Sequence, residues 1–302
     1  MMKNLMKTPL ALVAFAGMAS ATLSAATIWN GDDNDGDLFG TAGNWSNNSP
    51  GNAADDGSNN VATINNGDTV SLTTDYTSTN PYNLVVGGNS TLNASAAFTA
   101  PGLTIQNTGT VNLTGGAFTL PKTSPNNNGA GADGVLNINA GGTLSISGGT
   151  HVFNERNTID GTFQVVGSAA TISMHQFNAS SGTFDFVFDA GGISTITGDV
   201  GFSYFAGISG MNVTVDGSAV AGVAASYTLI DSESNGNMPP PGSFTIAGLG
   251  AEGVGWTLDI TDNAPSGGRD TVVLNVIPEP GTYALIGGLF ALAYVMLRRR
   301  EA

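Results

Sequence analysis

Cysteine is absent from the 302 residues, which excludes disulfide staples, thiolate metal sites and a thiol nucleophile together. Histidine is almost absent, since His151 and His175 are the only two. Cations are scarce as well: 8 Lys and Arg stand against 23 Asp and Glu, a formal net charge of −15. Between Thr27 and Pro280 only Lys122, Arg156 and Arg269 are basic. Nucleic acid is therefore excluded as a partner, because phosphate contact needs clustered Lys and Arg. Capture of acidic polysaccharide by charge is disfavoured for the same reason. A surface of this kind repels its copies and gathers divalent cations. From Thr27 to Val276 a helical hydrophobic period is also missing.

What is present instead is short alternation and frequent turning. Runs such as Leu136-Asn137-Ile138, Leu144-Ser145-Ile146 and Phe184-Asp185-Phe186-Val187-Phe188 read as strands of four to six residues. Gly contributes 43 residues and clusters with Asn, Asp and Ser where those runs stop. A unit of glycine turn, Thr or Ser, then alternating strand recurs at Gly67–Leu72, Gly88–Leu92, Gly109–Leu113, Gly142–Ile146, Gly161–Val165 and Gly182–Phe186. Its first apolar positions are Val70, Leu92, Val111, Leu144, Phe163 and Phe184, so the steps are 22, 19, 33, 19 and 21 residues. The long step contains Pro121–Asp133, which reads as a loop inserted into one repeat. A period near twenty with several short strands per repeat predicts a right-handed parallel β-helix, a solenoid, over residues 61–200. An antiparallel β-sandwich is the alternative.

The flanks read differently. Residues 201–276 lose the period while keeping plain strand runs at Met211–Val215, Tyr227–Ile230, Phe244–Ile246, Trp256–Ile260 and Thr271–Val276, and they are expected to form a β cap over the last rung. In residues 27–60, Trp29 and Trp45 enclose an Asp- and Gly-rich loop and are expected to close the other mouth of the solenoid. A sugar-stacking platform is the functional alternative for those two indoles. This opening resembles that of secreted β-helical and autotransporter-like passenger proteins.

At the N-terminus, Lys3 and Lys7 precede the apolar stretch Leu10–Ala19, and Ser24-Ala25-Ala26 offers small residues to a signal peptidase. Residues 1–26 are expected to be a signal peptide cleaved between Ala26 and Thr27, with Ala21 as a second cleavage point. At the C-terminus, Ile277-Pro278-Glu279-Pro280-Gly281-Thr282 leads into the apolar run Tyr283–Leu297, followed by Arg298, Arg299 and Arg300. Thr282–Leu297 is uncharged, and at about 1.5 Å per residue a helix there is roughly 24 Å long against a hydrocarbon core of roughly 30 Å. Arginine snorkelling extends its reach, and the three arginines favour the cytoplasmic side. Pro278 and Pro280 keep the preceding backbone extended.

The order Pro-Glu-Pro, single hydrophobic helix, arginine cluster resembles the PEP-CTERM sorting signal of Gram-negative, exopolysaccharide-producing bacteria, over residues 277–302. The resemblance implies an exosortase partner, an integral membrane cysteine transpeptidase or protease that would cleave near Pro278-Glu279-Pro280. It further implies export across the inner membrane, transient anchoring with the C-terminus cytoplasmic, and a final place at the cell surface or outside.

Chemistry is harder to find in the body. His151 with nearby Glu155 offers a loose pairing, yet both histidines are expected to be exposed at strand ends. The fold resembles that of pectate lyases and related glycosidases, but lyases need a basic proton acceptor, and glycosidases need carboxylates about 5 to 9.5 Å apart on neighbouring strands. Asp185 and Asp189 share one strand region and no other acid pair falls at the repeat period. The Asp32–Asp37 run fails as an EF-hand loop, because Gly31 falls where the first carboxylate is required. Gly129–Val135 matches a calcium nonapeptide only once and without its leading glycine. Loose cation binding by Asp32–Asp37 is the remaining metal expectation; no metal site, cofactor or catalytic residue is assigned. The expected function is a non-catalytic structural or adhesive protein of the cell surface or extracellular matrix, associated with biofilm or exopolysaccharide and offering faces of Thr, Ser and Asn to neutral glycans or neighbouring proteins. A carbohydrate-active β-helix enzyme, lyase or glycosidase, is the alternative, and a carrier of attached glycans is a third reading.

Overall fold

The computed structural model describes residues 26–31, 38–41, 44–46, 61–77, 83–100, 102–120, 135–178, 181–198, 211–220, 224–233, 243–247, 255–261, 269–277 and 280–300. Among the described residues the chain is mostly β, built from parallel sheets, with one α-helix near the C-terminus. Each turn of chain lays down three short strands that stack in parallel on those of the turn before. The first face carries β1 (Ala26–Ile28), β2 (Val61–Ile64), β5 (Asn83–Val86), β8 (Gly102–Ile105) and β11 (Val135–Ile138). The second carries β3 (Thr69–Leu72), β6 (Thr91–Ala94), β9 (Thr110–Leu113), β12 (Thr143–Ile146), β14 (Thr162–Val166), β16 (Thr183–Val187), β18 (Asn212–Asp216) and β20 (Ser243–Ala247). The third begins with β4 (Tyr76–Thr77), β7 (Phe98–Thr99) and β10 (Ala117–Leu120). The long strands β13 (Gly149–Ile159) and β15 (Ala170–Asn178) bend around the corner between third and first faces, with a register shift between Phe153 and Arg156. Their leading ends continue the third face into β17 (Ile196–Gly198) and β19 (Ala225–Glu233).

The register is the one that the repeat spacing predicts. Val70 pairs with Leu92, Leu92 with Val111, Val111 with Leu144, Leu144 with Phe163 and Phe163 with Phe184. The 33-residue step keeps register although it holds residues 121–134, which lie outside the described set. Alternation decides the faces: in β3, Val70 and Leu72 are buried while Thr69 and Ser71 point outward, and the pattern repeats coil after coil. Because side chains alternate strictly along a strand, a one-residue slip would turn the whole apolar column to solvent.

The glycine of the recurring unit has a steric reason. A Cβ added to Gly109, Gly161 or Gly182 would lie 2.3, 2.4 or 2.2 Å from a carbonyl oxygen of the coil below. In these three coils the successive backbones pass too close for a side chain, whereas the equivalent place in other coils holds Asp68, Ser90 or Met211.

Beyond residue 200 the spacing lengthens but the stacking does not stop. Phe184 pairs with Val213 and Val213 with Phe244, both in parallel. Within the span 201–276, where a cap is expected, β18 and β20 therefore continue the parallel stack. Among the described strands, antiparallel pairing occurs only at the end of the stack, where β22 (Arg269–Val276) lies between β19 and β21 (Thr257–Thr261); elsewhere it is limited to isolated bridges, Trp29 to Trp45 and Asp189 to Gly192. This differs from an antiparallel sandwich, in which such pairing would run throughout.

At the other end Trp29 and Trp45 are both about 1% exposed and bridge one another. Their rings meet edge to face at 5.2 Å, and Phe39 meets Trp45 in the same way. Each indole N–H has a partner: Trp45 Nε1 donates to the Phe39 carbonyl at 2.8 Å and Trp29 Nε1 to Asp68 Oδ2 at 3.2 Å. The two tryptophans thus cover the first coil, and with their faces buried they offer no platform for a sugar.

Candidate functional site

Two features stand out from the packed core, the outward rows of the second face and the C-terminal segment. On the second face, Thr69, Thr91, Thr110, Thr143, Thr162 and Thr183 lie in one register column, continued by Asn212 and Ser243. The next outward column is Ser71, Asn93, Asn112, Ser145, Gln164, Asp185, Thr214 and Thr245. Eight strands at about 4.8 Å give the face a length of roughly 34 Å. Strand-forming Thr suits an outward column because its branched side chain has few rotamers to lose.

The second column is knitted together. Asn112 Nδ2 donates to Asn93 Oδ1 at 2.8 Å, Ser145 Oγ to Gln164 Oε1 at 2.8 Å and Gln164 Nε2 to Asp185 Oδ2 at 2.7 Å. Thr214 Oγ1 donates to the other oxygen of Asp185. Sequence motifs do not single out Asn93, Asn112 and Gln164 as partners; only their shared parity in successive repeats signals the contact. Asp185 is flanked in register by Gln164 and Thr214 rather than by a second carboxylate. Asp189 serves a turn instead, where Oδ2 accepts the Ser168 N–H at 3.1 Å and Oδ1 the Gly191 N–H at 2.8 Å. Those backbone donors, led by Ser168, hold the Asp189 carboxyl below its usual range. The two acids are thus engaged in separate structural roles, and the structure does not pair them for glycoside chemistry.

His151 corrects an expectation. It is fully buried, not exposed at a strand end, and occupies an inward position between Phe118 and Ile172 of the neighbouring coils. Its Nε2 lies 2.6 Å from the Gly148 carbonyl, so the proton sits there, and the buried Nδ1 has no partner. Burial pushes the imidazole below its ordinary value, and the Gly148 bond opposes this only in part. His175 is half-buried and falls opposite the Asn154–Glu155 bulge; the Glu155 side chain lies outside the described set. The histidines do not share a register position. A histidine held neutral in the core contributes stability that is full above the unfolded-chain value, about 6.5, and is lost as pH falls below it, because the unfolded chain then binds the extra proton. Urea titrations are therefore expected to show stability declining below about pH 6.5. In His151→Leu that decline should flatten; an unchanged slope would assign it to the carboxylates.

Among the described residues no cluster of three or more His, Asp or Glu could hold a metal ion. The Asp32–Asp37 loop, and all but the last residue of the Gly129–Val135 segment, lie outside the described set.

The terminal segments are described in part. Ala26 and Thr27, the expected cleavage pair, open β1, which pairs with Val61 and Ala62 of β2; residues 1–25 lie outside the described set. At the other end, β22 stops at Val276, Pro278 and Glu279 are not described, and helix α1 runs from Pro280 to Arg300. Its apolar side chains are exposed, including Leu285 at 68% and Phe290 at 72%, and Arg298 lies 5.9 Å over the Tyr294 ring. Arg298 and Arg299 are exposed, and the Arg300 side chain is not described. Among the described residues no helix is long and apolar enough to cross a membrane. Several α1 side chains, from Pro280 to Ala284 among them, are outside that set.

No family model matches the chain, and no curated protein or solved structure matches it.

Proposed function

We propose that this chain is an exported, non-catalytic structural or adhesive protein of the cell surface or extracellular matrix, associated with biofilm or exopolysaccharide and sorted by its C-terminal segment. The observation that carries the reading is the juxtaposition of two unlike parts. One is a coil whose second face turns outward two columns made mostly of hydroxyl and amide groups, the second of them joined in part by hydrogen bonds from coil to coil. The other is α1, whose apolar side chains find no cover in the coil. An uncovered apolar surface of that kind marks an interaction or membrane site. The sixteen uncharged residues Thr282–Leu297 with Arg298, Arg299 and Arg300 behind them suit a membrane helix with a cytoplasmic end.

In this reading the body is a right-handed parallel β-helix, the handedness that β–crossover–β connections nearly always take. Signal peptidase cuts between Ala26 and Thr27, α1 holds the exported chain in the membrane, and an exosortase-type transpeptidase or protease acts at Pro278-Glu279-Pro280. The coil is then left at the surface, where its rows of Thr, Ser and Asn meet neutral glycans or exopolysaccharide. A stack of short, mutually hydrogen-bonded coils suits such a site because its stability is spread over nearest-neighbour contacts without disulfides.

Simultaneous substitution of Pro278, Glu279 and Pro280 by alanine tests the sorting step. The variant is expected to accumulate at full length in the membrane fraction while the parent chain leaves it. Equal distribution of the two chains between membrane and medium would show that this tripeptide is not read.

A further inference from the structure

We propose that the cavity at the N-terminal end of the coil binds a neutral sugar residue, the terminal unit of an uncharged glycan. This rests on the adhesive reading above and assigns it a specific site. The cavity has a volume of about 360 Å³ and lies where Leu38–Thr41 roofs the corner between β3 and β4. That size falls within the range of small-ligand sites.

The corner departs from its equivalents in the next coils. There the corners are Ser95-Ala96-Ala97, Thr114-Gly115-Gly116 and Ser147-Gly148, and the chain packs so closely that a Cβ on Gly116 would lie 2.3 Å from the Ala96 backbone. In the first coil the same place is Thr73-Thr74-Asp75, followed by Tyr76, and the space between coil and roof stays open. A packing role would be served by small residues here as elsewhere.

The lining matches the two-sided chemistry of a sugar, with apolar C–H faces and a rim of hydroxyls. Leu38 and the Tyr76 ring offer apolar surface. Tyr76 is held in place by Phe39, edge to face at 5.3 Å, and by Phe98, stacked at 6.3 Å, so the site is organised before binding. Thr41, Ser71 and Thr74 supply hydroxyls that both donate and accept. Asp75 Oδ1 accepts the Ala97 N–H of the next coil at 2.8 Å, which fixes the side chain and leaves the carboxylate further accepting capacity for a sugar hydroxyl. One carboxylate and no cation among the lining residues favours a neutral ligand over a uronate. The location fits an adhesin: the first coil is at the opposite end of the stack from β22, the strand that precedes α1 in the chain.

Saturation-transfer NMR on the full-length chain in detergent micelles tests the assignment, with glucose, galactose, mannose and N-acetylglucosamine as probes and glucuronate as the acidic control. At least one neutral sugar is expected to receive saturation and glucuronate none. Asp75→Asn, which keeps an oxygen for the Ala97 N–H, should raise the Kd about tenfold, as loss of one charge-assisted bond implies, with an unchanged thermal midpoint. Thr74→Arg, which fills the opening, should abolish transfer. Absence of transfer to every neutral sugar from the folded chain, or transfer unaltered in both variants, would overturn the site. Retention on insoluble cellulose and amylose separates the two readings. Retention that Asp75→Asn and Thr74→Arg leave intact keeps the adhesive reading and overturns the cavity. Sugar transfer by a chain that neither polysaccharide retains supports the cavity and counts against adhesion.

Discussion

Gly182→Ala is expected to cost about 3 kcal/mol or more, an overpacking penalty at the top of its usual range because backbone cannot yield. The added Cβ would lie 2.2 Å from the Ile159 carbonyl oxygen and 2.8 Å from its carbon. Ile159 is itself fully buried and belongs to β13, the backbone of the coil below. Nor can the turn retreat, since the Thr183 N–H donates to the Gly161 carbonyl at 2.8 Å and the Asn212 N–H to the Gly182 carbonyl at 2.9 Å. Movement at Gly182 would therefore loosen two coil-to-coil contacts at once. Gly255 makes the contrast: its φ is +94° but an added Cβ would meet nothing within 4 Å, so Gly255→Ala should cost only the strain of a left-handed residue, roughly 1–2 kcal/mol. Urea unfolding of both variants checks the difference. A Gly182→Ala loss no larger than that of Gly255→Ala would mean that the coils can separate at this corner.

Phe163→Ala is expected to cost about 3–5 kcal/mol, the sum of lost apolar transfer and the cavity left behind. Phe163 is fully buried midway along the stack, in register with Leu144 below and Phe184 above. Its ring meets Phe153 at 6.1 Å and Phe184 at 5.7 Å, in a chain of aromatic contacts that extends through Phe118 to Phe98 and Phe39. Thr162, one residue earlier, points outward, and Thr162→Ala should change stability by no more than about 0.5 kcal/mol. Because neighbouring coils support each other, the Phe163 cavity should lower the unfolding midpoint of the whole stack rather than release one coil. Two separated urea transitions in Phe163→Ala would contradict that coupling.

These two positions show how much the sequence discloses. Val70, Leu92, Val111, Leu144, Phe163 and Phe184 could be aligned from spacing alone, and the register pairs them in that order. Two local rules agree there: alternation sets the buried face, and a glycine marks each tight approach. The continuation to Val213 and Phe244 was hidden because each of those steps is about thirty residues long, which dilutes the period without altering the pairing. The third face was illegible for the opposite reason, since β4 and β7 are two residues each and carry no alternation to read. His151 is buried rather than exposed for a reason that parity supplies: it lies two residues from Phe153, so an inward Phe153 carries His151 inward too. The cavity beside Asp75 and Tyr76 needed coordinates, because its roof comes from Leu38–Thr41, more than thirty residues earlier in the chain. The tripeptide proposed for sorting is the reverse case, visible in sequence at Pro278-Glu279-Pro280 while only Pro280 falls within a described element.

The proposed role requires an exported coil and a C-terminal tail that is read and removed. Its most direct test is the intact mass of the native protein, recovered separately from membranes and from culture medium, with the C-terminal peptide sequenced. The expected chain begins at Thr27 and, in the released fraction, ends near Pro280 with Tyr283–Arg300 gone. A chain that ends at Ala302 in every fraction and stays in the membrane would contradict it and make α1 a permanent anchor.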